Sequence, residues 1–154
     1  APIIEHTCGL TVEKCFREKI IEPLGMDSTS LAKDEAVNAV VFGGAQTTLR
    51  DFLKIGQLML QKGAWKGEQL VSEKFVEASV TPAPNSAYYG YLWWVNEETR
   101  NYSAMGDFGQ LCIVFPEKEL IYLRYQTCKN DDRRYNINSW MGVDFLKTLS
   151  EVAE

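Results

Sequence analysis

The sequence predicts an α+β fold in which an antiparallel sheet of about three strands packs with helices. Three observations support this prediction. Apolar residues recur at helical spacing over much of residues 1–80. Two apolar runs joined by a short polar connection predict a β-hairpin over residues 110–125. An amphipathic stretch closes the chain, so we expect one domain over residues 1–154, helical over about 1–80, with a sheet and a C-terminal helix over about 86–154.

Composition and charge exclude several classes of function. Of the 154 residues, 45% are apolar, which is enough to bury a core. The 16 Lys and Arg residues against 21 Asp and Glu residues give a formal charge of −5, and no basic run is present, which argues against nucleic-acid binding. No apolar run approaches the roughly 20 residues that span a bilayer, and no signal peptide begins the sequence. We expect a folded protein without a nucleic-acid or membrane partner.

The N-terminal region predicts two short helices and a loop. Apolar residues from Ile3 to Ile21 have helical spacing, but Gly9 interrupts them, so Thr11 is expected to cap a second helix. Pro23–Gly25 ends that helix. Residues Asp27–Gly44 lose the periodicity and predict a long loop of the kind that is often functional.

The middle of the chain predicts two more helices. Thr48 and Asp51 resemble a capping box ahead of apolar residues at helical spacing, so a helix is expected to about Lys62. Ser72 is expected to cap another helix that ends near Ala78.

Three apolar runs predict the strands. Residues Tyr88–Val95 are apolar or aromatic on both alternating faces, which indicates a strand covered on both sides. Gln110–Phe115 and Leu120–Tyr125 pair as a hairpin across Pro116–Glu119. The sheet therefore needs helices on both faces, and the outer strand presents an edge that something must pair with or cover.

The last helix is predicted from the spacing of Met141, Phe145, Leu149 and Val152. It can cover one face of the sheet. The middle helices can cover the other face if they fold back.

Five short segments carry more specific residue patterns than these periodicities. They are Ile20–Met26, Gly43–Phe52, Tyr89–Trp94, Gly106–Gln110 and Pro116–Leu120. Their order over nearly the whole chain resembles the penicillin-recognising serine hydrolases. The branch it resembles most contains class C β-lactamases, related esterases, D-aminopeptidases and 6-aminohexanoate-dimer hydrolases.

The resemblance implies an acyl-transfer chemistry. That family attacks an amide, ester or lactam carbonyl with the serine of S-x-x-K, assisted by its lysine and by the tyrosine of Y-x-N. The helix at Ile3–Glu5 resembles the one that follows Y-x-N, so both elements are expected upstream of Ala1. The chain therefore resembles the C-terminal half of the family, and we expect it to be inactive alone.

A third family element, K/H-[ST]-G, is expected on a strand that contacts the substrate. The resemblance places it at Asn101, Tyr102 and Ser103, where both the basic residue and the glycine are replaced. Ala104 follows and would present its backbone N–H to the oxyanion. These four residues and the loop glycines Gly43–Gly44 are the expected substrate-binding residues.

A literal S-x-x-K is present at Ser30–Lys33. Its catalytic interpretation needs Ser30 at the start of a buried helix and a desolvated, neutral Lys33. Asp34 and Glu35 favour the charged amine instead, so we interpret the match as chance. Ser103 is an alternative nucleophile, but a strand-paired serine is the simpler interpretation.

The cysteines and the single histidine argue against a metal or cofactor. His6 is more simply a surface or capping residue than a base, and the cysteines lack the spacing of a zinc site. Free, buried or partly buried thiols are expected, which favours a cytoplasmic location, and Cys112 is expected in the core. The cysteines are Cys8, Cys15, Cys112 and Cys128.

An aromatic group could form a ligand platform or part of the core. Its strand periodicity favours the core. It consists of Tyr88, Tyr89, Tyr91, Trp93 and Trp94.

The sequence therefore predicts two alternative functions. In the first, the chain is the C-terminal portion of a serine hydrolase that takes a small acyl substrate and pairs with an N-terminal half. In the second, it is a non-catalytic module that binds a small ligand or a second copy of itself. In either case we expect self-association through the edge at Leu120–Tyr125 or the adjoining apolar surface when the chain is alone.

Overall fold

The computed structural model describes residues 1–41, 43–125 and 143–152. They divide into two units, Ala1–Ile55 and Gly56–Glu154. Within these ranges, every helix is too short or too polar to cross a bilayer.

The first unit begins with two short helices, as predicted. Helix α1 (Pro2–Cys8) ends at Gly9, whose φ of 70° is left-handed. Helix α2 (Val12–Phe16) begins at Thr11, whose side chain accepts the Lys14 N–H at 3.4 Å.

The chain then continues through a π-helical turn and a short third helix. The π-helical turn is Arg17–Ile21, and helix α3 is Glu22–Leu24. Gly25, with a φ of 63°, ends α3, which confirms the predicted stop.

A disulfide links α1 to α2, so the prediction of free thiols is wrong for Cys8 and Cys15. Because the chain reverses at Gly9, the two Cα atoms lie 6.2 Å apart, within reach of a disulfide. Cys112 is free and buried, as predicted, and Cys128 lies outside the described residues. The expected cytoplasmic location rested on free thiols and loses that support.

Helix α4 (Leu49–Leu60) begins with half of the predicted capping box. The Thr48 hydroxyl accepts the Asp51 N–H at 3.1 Å. The Asp51 carboxylate does not complete the box, because it accepts the Ser28 N–H at 2.9 Å and the Thr29 hydroxyl at 3.2 Å. The helix start is therefore joined to the loop that follows α3.

The second unit adds a small ribbon and a helix before the main sheet. Strands β1 (Ala64–Trp65) and β2 (Glu68–Gln69) are antiparallel. Helix α5 (Glu73–Ser79) begins at Ser72, whose side chain accepts the Phe75 N–H at 3.3 Å, as predicted.

The main sheet has four antiparallel strands in the order β3-β4-β5-β6. They are β3 (Trp94–Asn96), β4 (Asn101–Gly106), β5 (Gln110–Phe115) and β6 (Leu120–Arg124). The predicted hairpin is confirmed as β5 and β6. The strand predicted at Tyr88–Val95 is wrong for most of its length, since only its last two residues belong to β3.

Helices cover both faces of this sheet, as predicted. Helix α6 (Val143–Glu151) packs Leu146 against Leu111, Ile113 and Phe115. On the other face, a Cβ added to Gly56 of α4 would lie 3.0 Å from the Cys112 sulfur and from Ile121, so helix and sheet are in close contact.

Phe145 and Leu149 of the predicted apolar face of α6 pack against this core. Val152 is exposed, however, and the predicted position Met141 lies outside the described residues. The apolar face is therefore shorter than its spacing suggests.

Candidate functional site

Strand β4 is the element on which the resemblance places the substrate. It pairs with β5 at five positions from Tyr102 to Gly106, but with β3 at three positions only, from Asn101 to Ser103. Among the described residues, no strand continues β3 opposite Ala104, Met105 and Gly106. We call Ala104–Gly106 the open end of β4. Ala104, the expected backbone donor, is its first residue. Its N–H faces Cys112 of β5, because Trp94 pairs with Ser103 and successive residues of a strand face opposite sides. The N–H on the open side is that of Met105.

The three side chains before the open end are buried. Asn101 is 3% exposed and donates from its Nδ2 atom to the Thr99 hydroxyl, and Ser103 is 1% exposed. The Tyr102 ring meets Trp93 edge-on with centroids 5.3 Å apart. Burial raises the pKa of Tyr102, so its hydroxyl stays protonated. A ligand at this strand would therefore meet backbone atoms of the open end before these side chains.

The first position of the motif is Asn101 and not a lysine or histidine, and the cation before it, Arg100, forms an ion pair. The guanidinium of Arg100 lies 2.8 Å from the Glu117 carboxylate, which raises the pKa of Arg100. Asn101, at the position of the family's cation, is neutral. The strand thus lacks the positive charge that the resemblance associates with this motif.

The Ser30–Lys33 segment does not have the geometry of a nucleophile and its base. Ser30 lies in an extended bridge with Gln46, with both backbone hydrogen bonds at 2.9 Å, and it begins no helix. The Lys33 ammonium lies 2.8 Å from the Glu13 carboxylate, and this hydrogen bond lowers the pKa of Glu13. The Lys33 side chain is 42% exposed, whereas a lysine base must be desolvated.

The loop glycines belong to the first unit, whereas β4 belongs to the second. Gly43 lines an apolar cavity of about 350 Å³ together with Val12, Phe16 and Leu31. Gly44 has a φ of 71°, a left-handed conformation that favours glycine, so its backbone alone explains why glycine is present. A joint substrate site of these glycines and β4 stays a prediction.

The two other candidate nucleophiles or bases have simple surroundings. His6 is exposed in the last turn of α1. Cys112 is fully buried, and burial raises the pKa of its thiol to about 12, so it is not a reactive thiolate at neutral pH.

The aromatic group is only partly in the core, so its assignment to the core is wrong for three of its members. Trp93 is buried, but Tyr88, Tyr91 and Trp94 are exposed. The reason is a tight turn at Gly90, where a Cβ would lie 2.1 Å from the Ser79 carbonyl oxygen. A glycine inside an apolar run is a signal for such a turn, which strand periodicity alone does not reveal.

These exposed side chains form two ring pairs in the second unit. The Tyr88 and Trp94 rings are stacked, with centroids 5.7 Å apart and planes 6° apart. Phe75 of α5 contacts Tyr91, with centroids 6.1 Å apart. These four aromatic residues and Leu92 are together called the aromatic ledge below.

Comparisons with known proteins agree with the resemblance. A family model described as Beta-lactamase matches residues 1–139. A 6-aminohexanoate-dimer hydrolase from Paenarthrobacter ureafaciens is 22% identical over 97% of this chain and 43% of its own length.

Two solved structures share the fold. A Bacillus anthracis protein provisionally named a 6-aminohexanoate-dimer hydrolase superposes with a TM-score of 0.77 at 22% identity, over 98% of this chain and 42% of its own. A Bacteroides dorei protein provisionally named a β-lactamase superposes with a TM-score of 0.62 at 20% identity, over 82% of this chain and 48% of its own. The chain thus spans less than half the length of these relatives.

Proposed function

Because the chain belongs to the beta-lactamase family, we propose that it acts as the C-terminal half of a serine acyl hydrolase for amide, ester or lactam substrates and is inactive alone. The observation that carries this proposal is the register of β4. Its pairing with β3 ends at Ser103, so the backbone from Ala104 onward borders an unpaired side of the strand. The N–H of Met105, which faces that side, can donate to a carbonyl oxygen as negative charge develops on it.

This sequence does not contain the family's two catalytic motifs in a form that could act on a substrate. It contains no Y-x-N, and its one S-x-x-K match is Ser30–Lys33, which begins no helix. In this proposal the attacking serine and its proton-transfer partners belong to another part of the enzyme. The residues of this chain bind and orient the carbonyl.

Intact mass spectrometry tests the inactivity of the isolated chain. After incubation with a reactive penicillin or an activated ester, we expect no acyl adduct. Ser30→Ala and Ser103→Ala are the matched variants. An adduct that forms on the wild-type chain and is lost in either variant would identify a working nucleophile in this chain, which contradicts the proposal.

A second candidate is a stand-alone module that binds a small ligand or itself. The exposed aromatic ledge favours this candidate. The genomic sequence upstream of Ala1 separates the two, because in-frame S-x-x-K and Y-x-N elements support the hydrolase and their absence supports the module.

A further inference from the structure

We propose that the aromatic ledge binds an aromatic ring on the acyl group of the substrate while the open end of β4 binds its carbonyl. The inference rests on the proposed function, and it narrows the substrate class to arylacyl amides or esters. Three observations carry it: how the ledge is anchored, how it is exposed and where it lies on the sheet.

The ledge is held in place by a backbone anchor. The Tyr91 N–H donates to the Ser79 carbonyl at the end of α5 at 2.9 Å, and the missing side chain of Gly90 allows this approach. Leu92 follows with a φ of 64°, a left-handed conformation that is unfavourable for leucine. Such strain is retained where the surrounding structure fixes the backbone, often at ligand sites.

The ledge exposes large apolar side chains. Leu92 is 79% exposed, Tyr88 is 60% exposed and Trp94 is 37% exposed. Scattered apolar residues are normal on a surface, but exposed apolar side chains that contact one another, such as the Tyr88 and Trp94 rings, are typical of an interaction site.

The rings have the geometry of a binding platform. Trp94 is held by two neighbours, since Tyr88 stacks on it and Tyr89 meets it edge-on with centroids 4.9 Å apart. The Trp94 ring is therefore packed by two other rings before a ligand arrives. A planar ring can extend the stack, and aromatic pairs of this kind stabilise a complex beyond the effect of the buried area.

The ledge is continuous with the candidate carbonyl site. Trp94 lies opposite Ser103 in the β3–β4 register, and Ala104 is the next residue along β4. From the spacing of strands and residues in a sheet, the Trp94 backbone is about 6 Å from that of Ala104. A phenyl ring joined to a carbonyl by a one- or two-carbon linker can therefore reach the ledge.

Ligand-observed NMR on the full chain tests this without any catalytic step. We expect phenylacetamide to receive saturation from the protein, strongest on its ring protons, and acetamide to receive little. Trp94→Ala should weaken phenylacetamide binding about tenfold. Trp94→Phe should retain most of the binding. Ile3→Ala removes a side chain that is 82% exposed in the other unit and should change nothing.

Three outcomes overturn the proposal. They are equal binding of phenylacetamide and acetamide, equal weakening by Ile3→Ala, and self-association that Trp94→Ala abolishes, which would assign the ledge to a second copy. If Trp94→Ala does not fold, Tyr88→Ala makes the same comparison from a more exposed position. Because binding needs no nucleophile, it can succeed when the acyl-adduct test contradicts the proposed function, and it can fail when that test supports it.

Discussion

The Asp51 carboxylate accepts the backbone N–H of Ser28 at 2.9 Å, although 23 residues separate them in the chain. The same carboxylate accepts the Thr29 hydroxyl and lies 3.0 Å from the Lys54 ammonium. The Lys54 ammonium also donates to the Gly25 carbonyl. One buried acid therefore connects the first turn of α4 with the loop after α3, and through Lys54 with Gly25 at the end of α3.

Asp51→Asn should destabilise this connection. An amide keeps the volume but loses the charge that Lys54 pairs with, and it cannot accept as strongly from Ser28 and Thr29. We expect a lower urea midpoint than in wild type. Asp27→Asn, at an exposed position in the same loop, is the control and should leave the midpoint unchanged.

The same acid predicts a pH dependence. The hydrogen bond from Lys54, followed by those from Ser28 and Thr29, lowers the pKa of Asp51 below its ordinary value. A lowered folded-state pKa gives stability that is present above the unfolded pKa of about 3.9 and is lost as the pH falls through the lower folded value. Urea unfolding at neutral and at acid pH should show a smaller acid loss for Asp51→Asn than for wild type. Equal losses would show that Asp51 does not contribute.

Gly56→Ala should push α4 away from the sheet. The new methyl group would lie 3.0 Å from both the Cys112 sulfur and a methyl carbon of Ile121, so the free energy of unfolding should fall by about 1–3 kcal/mol. Gly43→Ala is the control, since its Cβ meets open space and its φ is not left-handed. Adding Cys112→Ala to Gly56→Ala should restore part of the loss. An unchanged stability in Gly56→Ala would contradict the close contact.

Removing the Cys8–Cys15 disulfide should loosen α1. No residue of this helix is buried, so the covalent link is a main restraint on it. For a loop of this size, the chain-entropy model gives a loss of about 2 kcal/mol. Faster hydrogen exchange in Pro2–Cys8 after a Cys8→Ser, Cys15→Ser change would show the effect. The Cys112→Ala chain is the matched control and should keep normal protection there.

Cys112 should resist alkylation in the folded chain. Its folded-state pKa of about 12 keeps the thiol protonated at pH 8, and the residue has no exposed surface. Peptide mass spectrometry after iodoacetamide treatment should show it unmodified in the native protein and modified in guanidinium chloride. Rapid labelling of native Cys112 would contradict the burial of this strand.

The isolated chain should self-associate through β6. This strand ends the sheet order among the described residues, and the edge at Leu120–Leu123 is where another strand can pair with it. Light scattering should show a mass that rises with concentration. Leu123→Pro should reduce the association because proline removes an edge donor, while Trp94→Ala should not. A stable monomer at high concentration would falsify this prediction.

Local rules predicted the elements whose causes are local. Gly9 and Thr11 mark the break between α1 and α2, and the hairpin follows from two apolar runs and a short connection. The turn at Gly90 and the Cys8–Cys15 bond were missed because each depends on an approach between separate segments.

The candidate site likewise has a part that the sequence predicted and a part that depends on packing between separate segments. The resemblance located the strand at Asn101–Ser103, but the burial of those side chains depends on packing against other elements, such as the Trp93 ring against Tyr102. The open end at Ala104 depends on where β3 begins, which the sequence pattern alone placed six residues too early.

Gly90 also affects how relatives of this protein should be recognised. The glycine of the Tyr-Gly-x-Leu-Trp-Trp signature is required because a carbonyl oxygen occupies the space of any side chain. The signature therefore records how a turn docks on a helix and not an ability to acylate. A chain can therefore keep this turn whether or not it carries a nucleophile.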